Sequence, residues 1–147
     1  MCSLSDLPRE RPATPHDLVR FHARHKLLLM AHAPASVSAL GRLVATAGAG
    51  DLARIWSEYE TGFRTTLATP PSRGGHVNAL LHAVGYFRGV ADEAKRRDLA
   101  RAIEMYAAGA SSLSAPARLI RELAAEHGIG YLLDQVYLQV PSAFDES

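Results

Sequence analysis

Two stretches of the chain concentrate side chains able to do chemistry. The first reads Phe21-His22-Ala23-Arg24-His25-Lys26-Leu27-Leu28-Leu29-Met30-Ala31-His32. At helical pitch, Leu18, Phe21, His25, Leu28, Leu29 and His32 share one face, with His22 on its edge. Arg20 and Arg24 lie on the opposite side, one turn apart. A histidine on an apolar face must find a hydrogen-bond partner or lose its charge. His25 and His32 therefore point either to a structural anchor or into a pocket between helices, where an imidazole near neutral pKa shuttles protons.

The second stretch runs from Arg73 to Tyr86. Arg73 and Gly74-Gly75 precede an expected helix N-terminus, where free N–H groups and the helix dipole favour an anion. His76 sits in the first turn. Asn78 and His82 are one turn apart, and Tyr86 is one turn further. Asn, His and Tyr together can hydrogen-bond a planar heterocycle by its edges. Glu60, at the edge of another apolar face, is placed to orient a histidine or Arg73. The alternative for each is structural: an anchored core histidine, a solvated Arg73, a surface Glu60, an Asn78 that staples two helices.

Seven histidines invite a metal reading. His22 and His25 are three apart and His76 and His82 six apart, neither matching HExxH nor a carboxylate with ExxH. No metal is expected. No GxSxG elbow, Walker loop or dinucleotide glycine loop occurs, so no cofactor is expected either.

Helices must position these groups. Thr14-Pro15 with Asp17 is a helix start, predicting a first helix over about 15–32. Pro34 opens a second, which ends at Gly48-Ala49-Gly50. Asp51 caps a third carrying Leu52, Ile55, Tyr59, Phe63 and Leu67, and Thr69-Pro70-Pro71-Ser72 breaks it. A fourth is predicted over 76–88, a fifth over 92–108 and a sixth from a Ser114 cap to His127. A short seventh covers about 131–138. Every countable period is helical, and no alternating β-branched run survives. The expectation is one compact all-α bundle of about six to seven helices: a polar arm at 1–13, the domain at 14–141 and a tail at 142–147.

The remaining bounds come from composition. At 147 residues and 48% hydrophobic content, the chain builds one sizeable core. The net charge of +1 is low for nucleic-acid binding by charge alone, so a phosphate partner requires local clustering. A lone Cys2 excludes an internal disulfide, a CxxC pair and a zinc knuckle, and suits a reducing cytoplasm. No apolar leader or membrane-length run occurs.

Read together, these strings resemble the YbgA-like family, a small bacterial domain of unknown function. The likeness rests on the Phe21–His32 string, Leu40-Gly41-Arg42-Leu43-Val44-Ala45, Tyr59-Glu60, Gly75-His76-Val77-Asn78 and His82-Ala83-Val84-Gly85-Tyr86-Phe87. Ile103-Glu104 and Tyr131-Leu132-Leu133-Asp134-Gln135-Val136-Tyr137-Leu138 complete it. Tyr131 and Gln135 join the candidate set through this last segment. Members of that family occur alone or fused behind a thiouracil-desulfidase-like domain, in proteins associated with removing sulfur from 4-thiouridine in transfer RNA. The catalytic part of such fusions holds an iron–sulfur cluster on cysteines that this chain does not carry.

The resemblance thus implies an accessory module binding transfer RNA or a thiolated nucleotide. Arg24, Lys26, Arg42 and Arg73 would meet phosphate, and His25, Asn78, His82 and Tyr86 a base or sugar. The alternative is a small-molecule enzyme with a pocket of His25, His32, Asn78, His82 and Tyr86, with His25, His82 and Tyr86 as catalytic candidates. A third reading is a helical module that docks on a separate desulfidase-like protein.

Overall fold

The computed structural model describes residues 12–139 and 141–144. Cys2, the expected arm except its last two residues, and the tail beyond residue 144 lie outside the described residues. The chain is all-α. Its helices are α1 (Pro15–Arg24), α2 (Lys26–His32), α3 (Pro34–Ala45), α4 (Leu52–Ala68), α5 (Arg73–Val84), α6 (Glu93–Ala107), α7 (Ser114–His127), α8 (Gly130–Leu133) and α9 (Val136–Gln139). Short 3-10 turns occupy Gly85–Phe87 and Pro141–Phe144.

Helices start where side chains satisfy the free N–H groups of the first turn. Thr14 and Asp17 form a reciprocal capping box, each side chain accepting the other's backbone N–H at 3.2 Å. Asp51 accepts from the Ala53 N–H, Ser72 from Gly75 and Asp92 from Lys95. The sixth predicted helix begins one residue differently: Leu113 is the N-cap and Ser114 the first helical residue. It ends at Gly128, whose φ of 66° is the left-handed conformation that glycine adopts without steric cost.

The single helix expected over 15–32 is two helices. His25 leaves the helical region (φ −109°, ψ 6°), and its N–H bonds His22 rather than Phe21. No glycine or proline marks the position. The break is sustained by side chains that replace two missing i→i−4 bonds. Phe21 C=O, which would accept the His25 N–H, accepts His25 Nδ1–H at 2.7 Å. Ala23 C=O and Leu27 N–H would bond each other in a continuous helix. Here the Gln135 carboxamide sits between them: Nε2 donates to Ala23 O at 2.6 Å, and Oε1 accepts from Leu27 N at 3.2 Å.

Gln135 reaches that gap because the helix expected over 131–138 is interrupted too. Asp134 and Gln135 separate α8 from α9, and Gln135 is fully buried.

The break turns α2 into the central helix. Leu27, Leu28, Leu29, Ala31 and His32 are all buried, which is the signature of a helix apolar all round. Its most extensive neighbour is α5, followed by α3. The α2–α5 contact is backbone-close: a Cβ on Gly75 would stand 2.2 Å from the Ala31 carbonyl oxygen. Around this axis Tyr59, Phe63, Phe87, Leu99, Leu113, Ile120 and Tyr137 complete one core.

Two expectations follow. Gln135→Ala leaves a buried donor and a buried acceptor without partners, and lowers unfolding stability by about 2–4 kcal/mol in urea titration. A loss under about 1 kcal/mol would show that α1 and α2 close into one helix without it. Gly75→Ala drives a methyl into backbone and costs about 3 kcal/mol or more by the same measurement.

Candidate functional site

Four of the candidate histidines are buried and anchored through Nδ1. His25 and His32 donate to the carbonyls of Phe21 and Thr69, each at 2.7 Å. A carbonyl only accepts, so both rings carry their proton on Nδ1. His22 and His76 bond tyrosine hydroxyls: Tyr59 at 3.0 Å and Tyr137 at 2.6 Å. His25 stacks on Phe21, with centroids 4.0 Å apart, and meets Phe63 edge-on. His76 stacks on Tyr137 and meets Tyr106 and Phe144 edge-on. These rings hold α1, α2 and α5 to the helices around them.

Helical phase placed His22 at the rim of its face, yet it is only 5% exposed. Helix α3 crosses there, with Gly41 close enough that a Cβ would lie 3.4 Å from His22 Nε2. Burial holds the imidazole pKa down, from the ordinary 6.5 to about 4, reinforced by Lys26; the Val37 carbonyl opposes the shift. Burial also raises the Tyr59 phenol far above its usual range. With no other hydrogen bond of that hydroxyl among the described residues, its proton goes to His22 Nδ1, which makes Nε2 the N–H. Nε2 is buried and faces the Val37 carbonyl, short of full hydrogen-bond geometry.

Other candidates are structurally committed. Glu60 ion-pairs with Arg64 one turn along α4, at 3.0 Å, and orients neither a histidine nor Arg73. Arg73 does not precede the helix as a free anion ligand but is its first residue. It donates to the Tyr106 carbonyl and lies over the Tyr106 ring, 5.0 Å from its centroid. Ser72 takes the Gly75 N–H, so the expected anion seat is already filled from within. The fourth helix consequently starts at Arg73, earlier than predicted, and gives way to a 3-10 turn after Val84. Asn78 is half-buried, and His82 and Arg42 are exposed.

Two places do gather candidates, on adjacent flanks of α1. One is a groove of about 460 Å³ between α1 and α3, which includes His22, Lys26, Val37, Ser38, Gly41 and Val44. The other is a smaller groove of about 120 Å³ formed by Arg20, Ala23, Arg24, Tyr131, Asp134 and Gln135. Beside the second, Tyr86 stacks on Tyr131 with ring centroids 4.8 Å apart and planes 18° from parallel. Tyr86 is 44% exposed. Burial, with the neighbouring Tyr86 hydroxyl, raises the Tyr131 phenol far above its ordinary range.

Comparison with known proteins identifies a family. Residues 26–141 match the family described as "Protein of unknown function (DUF1722)". The chain belongs to that family. It is similar to "Uncharacterized protein YbgA" of Escherichia coli (strain K12), with 30% identity over 133 residues, covering 90% of this chain and 79% of the relative. No solved structure matches. The strings that carried the resemblance assemble the centre of this domain: the Phe21–His32 string builds the α1–α2 break, and the Tyr131–Leu138 string supplies the glutamine that fills it.

Sequence reasoning did not select Arg20, Asp134 or Gly41 as site residues. The i, i+4 spacing of Arg20 and Arg24 was the available sign for the first. A glycine inside a confident helix was the sign for Gly41. Among the described residues no three His, Cys, Asp or Glu side chains gather as metal ligands. No described helix is long and apolar enough to cross a membrane.

The depressed His22 pKa sets a pH dependence. The ring is neutral when folded down to about pH 4, but protonates near 6.5 when unfolded. Its contribution is therefore fully present above pH 6.5 and is lost as pH falls from there towards 4. The loss reaches about 2–3 kcal/mol. His32, also lowered by burial, acts in the same direction. Urea unfolding at pH 7.5 and 4.5 measures the difference, and His22→Gln should flatten the profile.

Proposed function

We propose that this domain is a nucleic-acid-binding module of the cytoplasm that recognises transfer RNA or a thiolated nucleotide, acting as an accessory to a separate sulfur-removing enzyme. The observation that carries this reading is the stacked Tyr86–Tyr131 pair beside the groove that holds Arg20 and Arg24. An exposed aromatic ring offers a stacking face to any base, thiolated or not. Two arginines one helical turn apart supply forked donors for phosphate. Local clustering of this kind answers the low net charge, because only one surface has to be basic. Asp134 sits in the same groove as an acceptor for a base edge or sugar hydroxyl.

The enzyme reading draws less support. His25 and His32 are buried and fixed to carbonyls, while His82 and Tyr86 are exposed. General acid–base work needs such groups converging on one reacting atom.

Filter binding to bulk transfer RNA tests the proposal. Retention should fall steeply as salt rises. Tyr86→Ala and Arg24→Ala should each weaken binding by about tenfold at fixed salt while leaving the thermal midpoint near that of the parent. Retention no greater than that of an acidic control protein, or full affinity in both variants, would remove the basis for this reading.

A further inference from the structure

The groove that holds Arg20 and Arg24 contains a group that a phosphate site does not call for. Asp134 lines it together with the two arginines. A carboxylate beside a phosphate position repels the anion that the arginines attract. The local structure gives this carboxylate no task. Asp134 is the C-cap residue of α8, where the helix presents carbonyl groups and a negative charge gains nothing. All three charged side chains are exposed. Among the described residues none of them makes an ion pair or a side-chain hydrogen bond.

The groove is also small. At about 120 Å³ it falls well under the roughly 300–1,000 Å³ of sites that enclose a whole small molecule. It has room for a phosphate and the edge of the sugar attached to it, and not for a base as well. The base belongs outside, on the tyrosine stack: Tyr131 lines the groove, and Tyr86 lies against it with an exposed ring. The Gln135 carboxamide is committed to Ala23 and Leu27. Asp134 is the one carboxylate on the wall.

With phosphate on the arginines and a base on the tyrosines, the sugar between them lies beside Asp134. The donor that a ribonucleotide presents there is its 2′-hydroxyl, which a deoxyribonucleotide lacks. A carboxylate accepts that hydroxyl in a charge-assisted hydrogen bond. The bond offsets the repulsion between Asp134 and the phosphate. A deoxyribose strand meets the repulsion with nothing to offset it.

We infer that Asp134 is a specificity determinant of this groove, accepting the 2′-hydroxyl of an unpaired nucleotide and so selecting ribose over deoxyribose. The inference rests on the RNA reading above and names what that site distinguishes. The nucleotide is unpaired because a base within a duplex has both faces covered by its neighbours and cannot lie on Tyr86.

The test is fluorescence anisotropy of the whole chain at low salt with three labelled single strands: dodecauridine, its deoxy counterpart and its 2′-O-methyl counterpart. The methylated strand keeps the ribose but has no donor at the 2′ position. Dodecauridine binds at least about tenfold more tightly than either of the others. Asp134→Ala keeps the thermal midpoint, binds the deoxy strand more tightly than the parent does, and brings all three strands within about twofold of one another. Arg24→Ala weakens all three by a similar factor and lowers the slope of log affinity against log salt by about 0.7. Equal affinity of the parent for ribose and deoxyribose strands overturns the inference and leaves the RNA reading standing, as does a methylated strand that binds as tightly as dodecauridine. So does a ribose preference that survives in Asp134→Ala, which would make this carboxylate a surface charge and no more. Binding of none of the strands overturns it too, and transfer-RNA retention on filters then shows whether the RNA reading falls with it.

Discussion

The Gln135 carboxamide, inserted where a helix has been interrupted, is the contact on which the rest of this structure depends. A helix broken in a protein interior leaves polar backbone groups that water cannot reach. A carboxamide carries one donor side and one acceptor side, the same pair a peptide group presents. Gln135 therefore fills the gap as a peptide would, bonding Ala23 and Leu27. With that gap closed, α2 leaves the line of α1 and runs through the middle of the domain, buried except at the half-buried Lys26 and Met30. Its close approach to α5 at Gly75, and its own histidine anchor to Thr69, follow from that path.

Much of the architecture is legible in local chemistry. Thr14 with Asp17, Asp51 and Asp92 mark helix starts, and Gly128 marks an end, because capping depends on neighbours in sequence. The all-α class follows from periodicity. The interruption at His25 is not legible for the opposite reason. A leucine-rich run without glycine or proline has every local reason to continue, and the side chain that interrupts it comes from the far end of the chain. The same holds for the division of α8 from α9. Tertiary satisfaction of backbone groups overrides propensity at both places.

Candidate site residues divide along the same line. Residue type and helical phase correctly place His25 and His32 on an inward face, but not the carbonyls that occupy them. Phase puts His22 at the rim, and only the crossing of α3 makes it interior. Arg73 and Glu60 have the chemistry to serve a ligand, yet nearer partners, the Tyr106 carbonyl and Arg64, take them. Tyr86 and Tyr131, distant in sequence, are joined by the fold into one stacked pair. In the Phe21–His32 string, His22, His25 and His32 are each held by a core partner, and the two grooves lie along the flanks of α1.

The splice also orders events in time. Its two halves lie at opposite ends of the domain, with separations of 108 and 112 residues. Contacts so remote in sequence form late, because a long loop must close before they are rewarded. On the ribosome, α1 and the Leu27–Ala31 segment emerge before residue 135, and the bonds that close the bent path form only once Gln135 is available. The Leu27–Ala31 segment, the most apolar stretch of the domain, thus lacks its final covering until residues as far as 135 have been made.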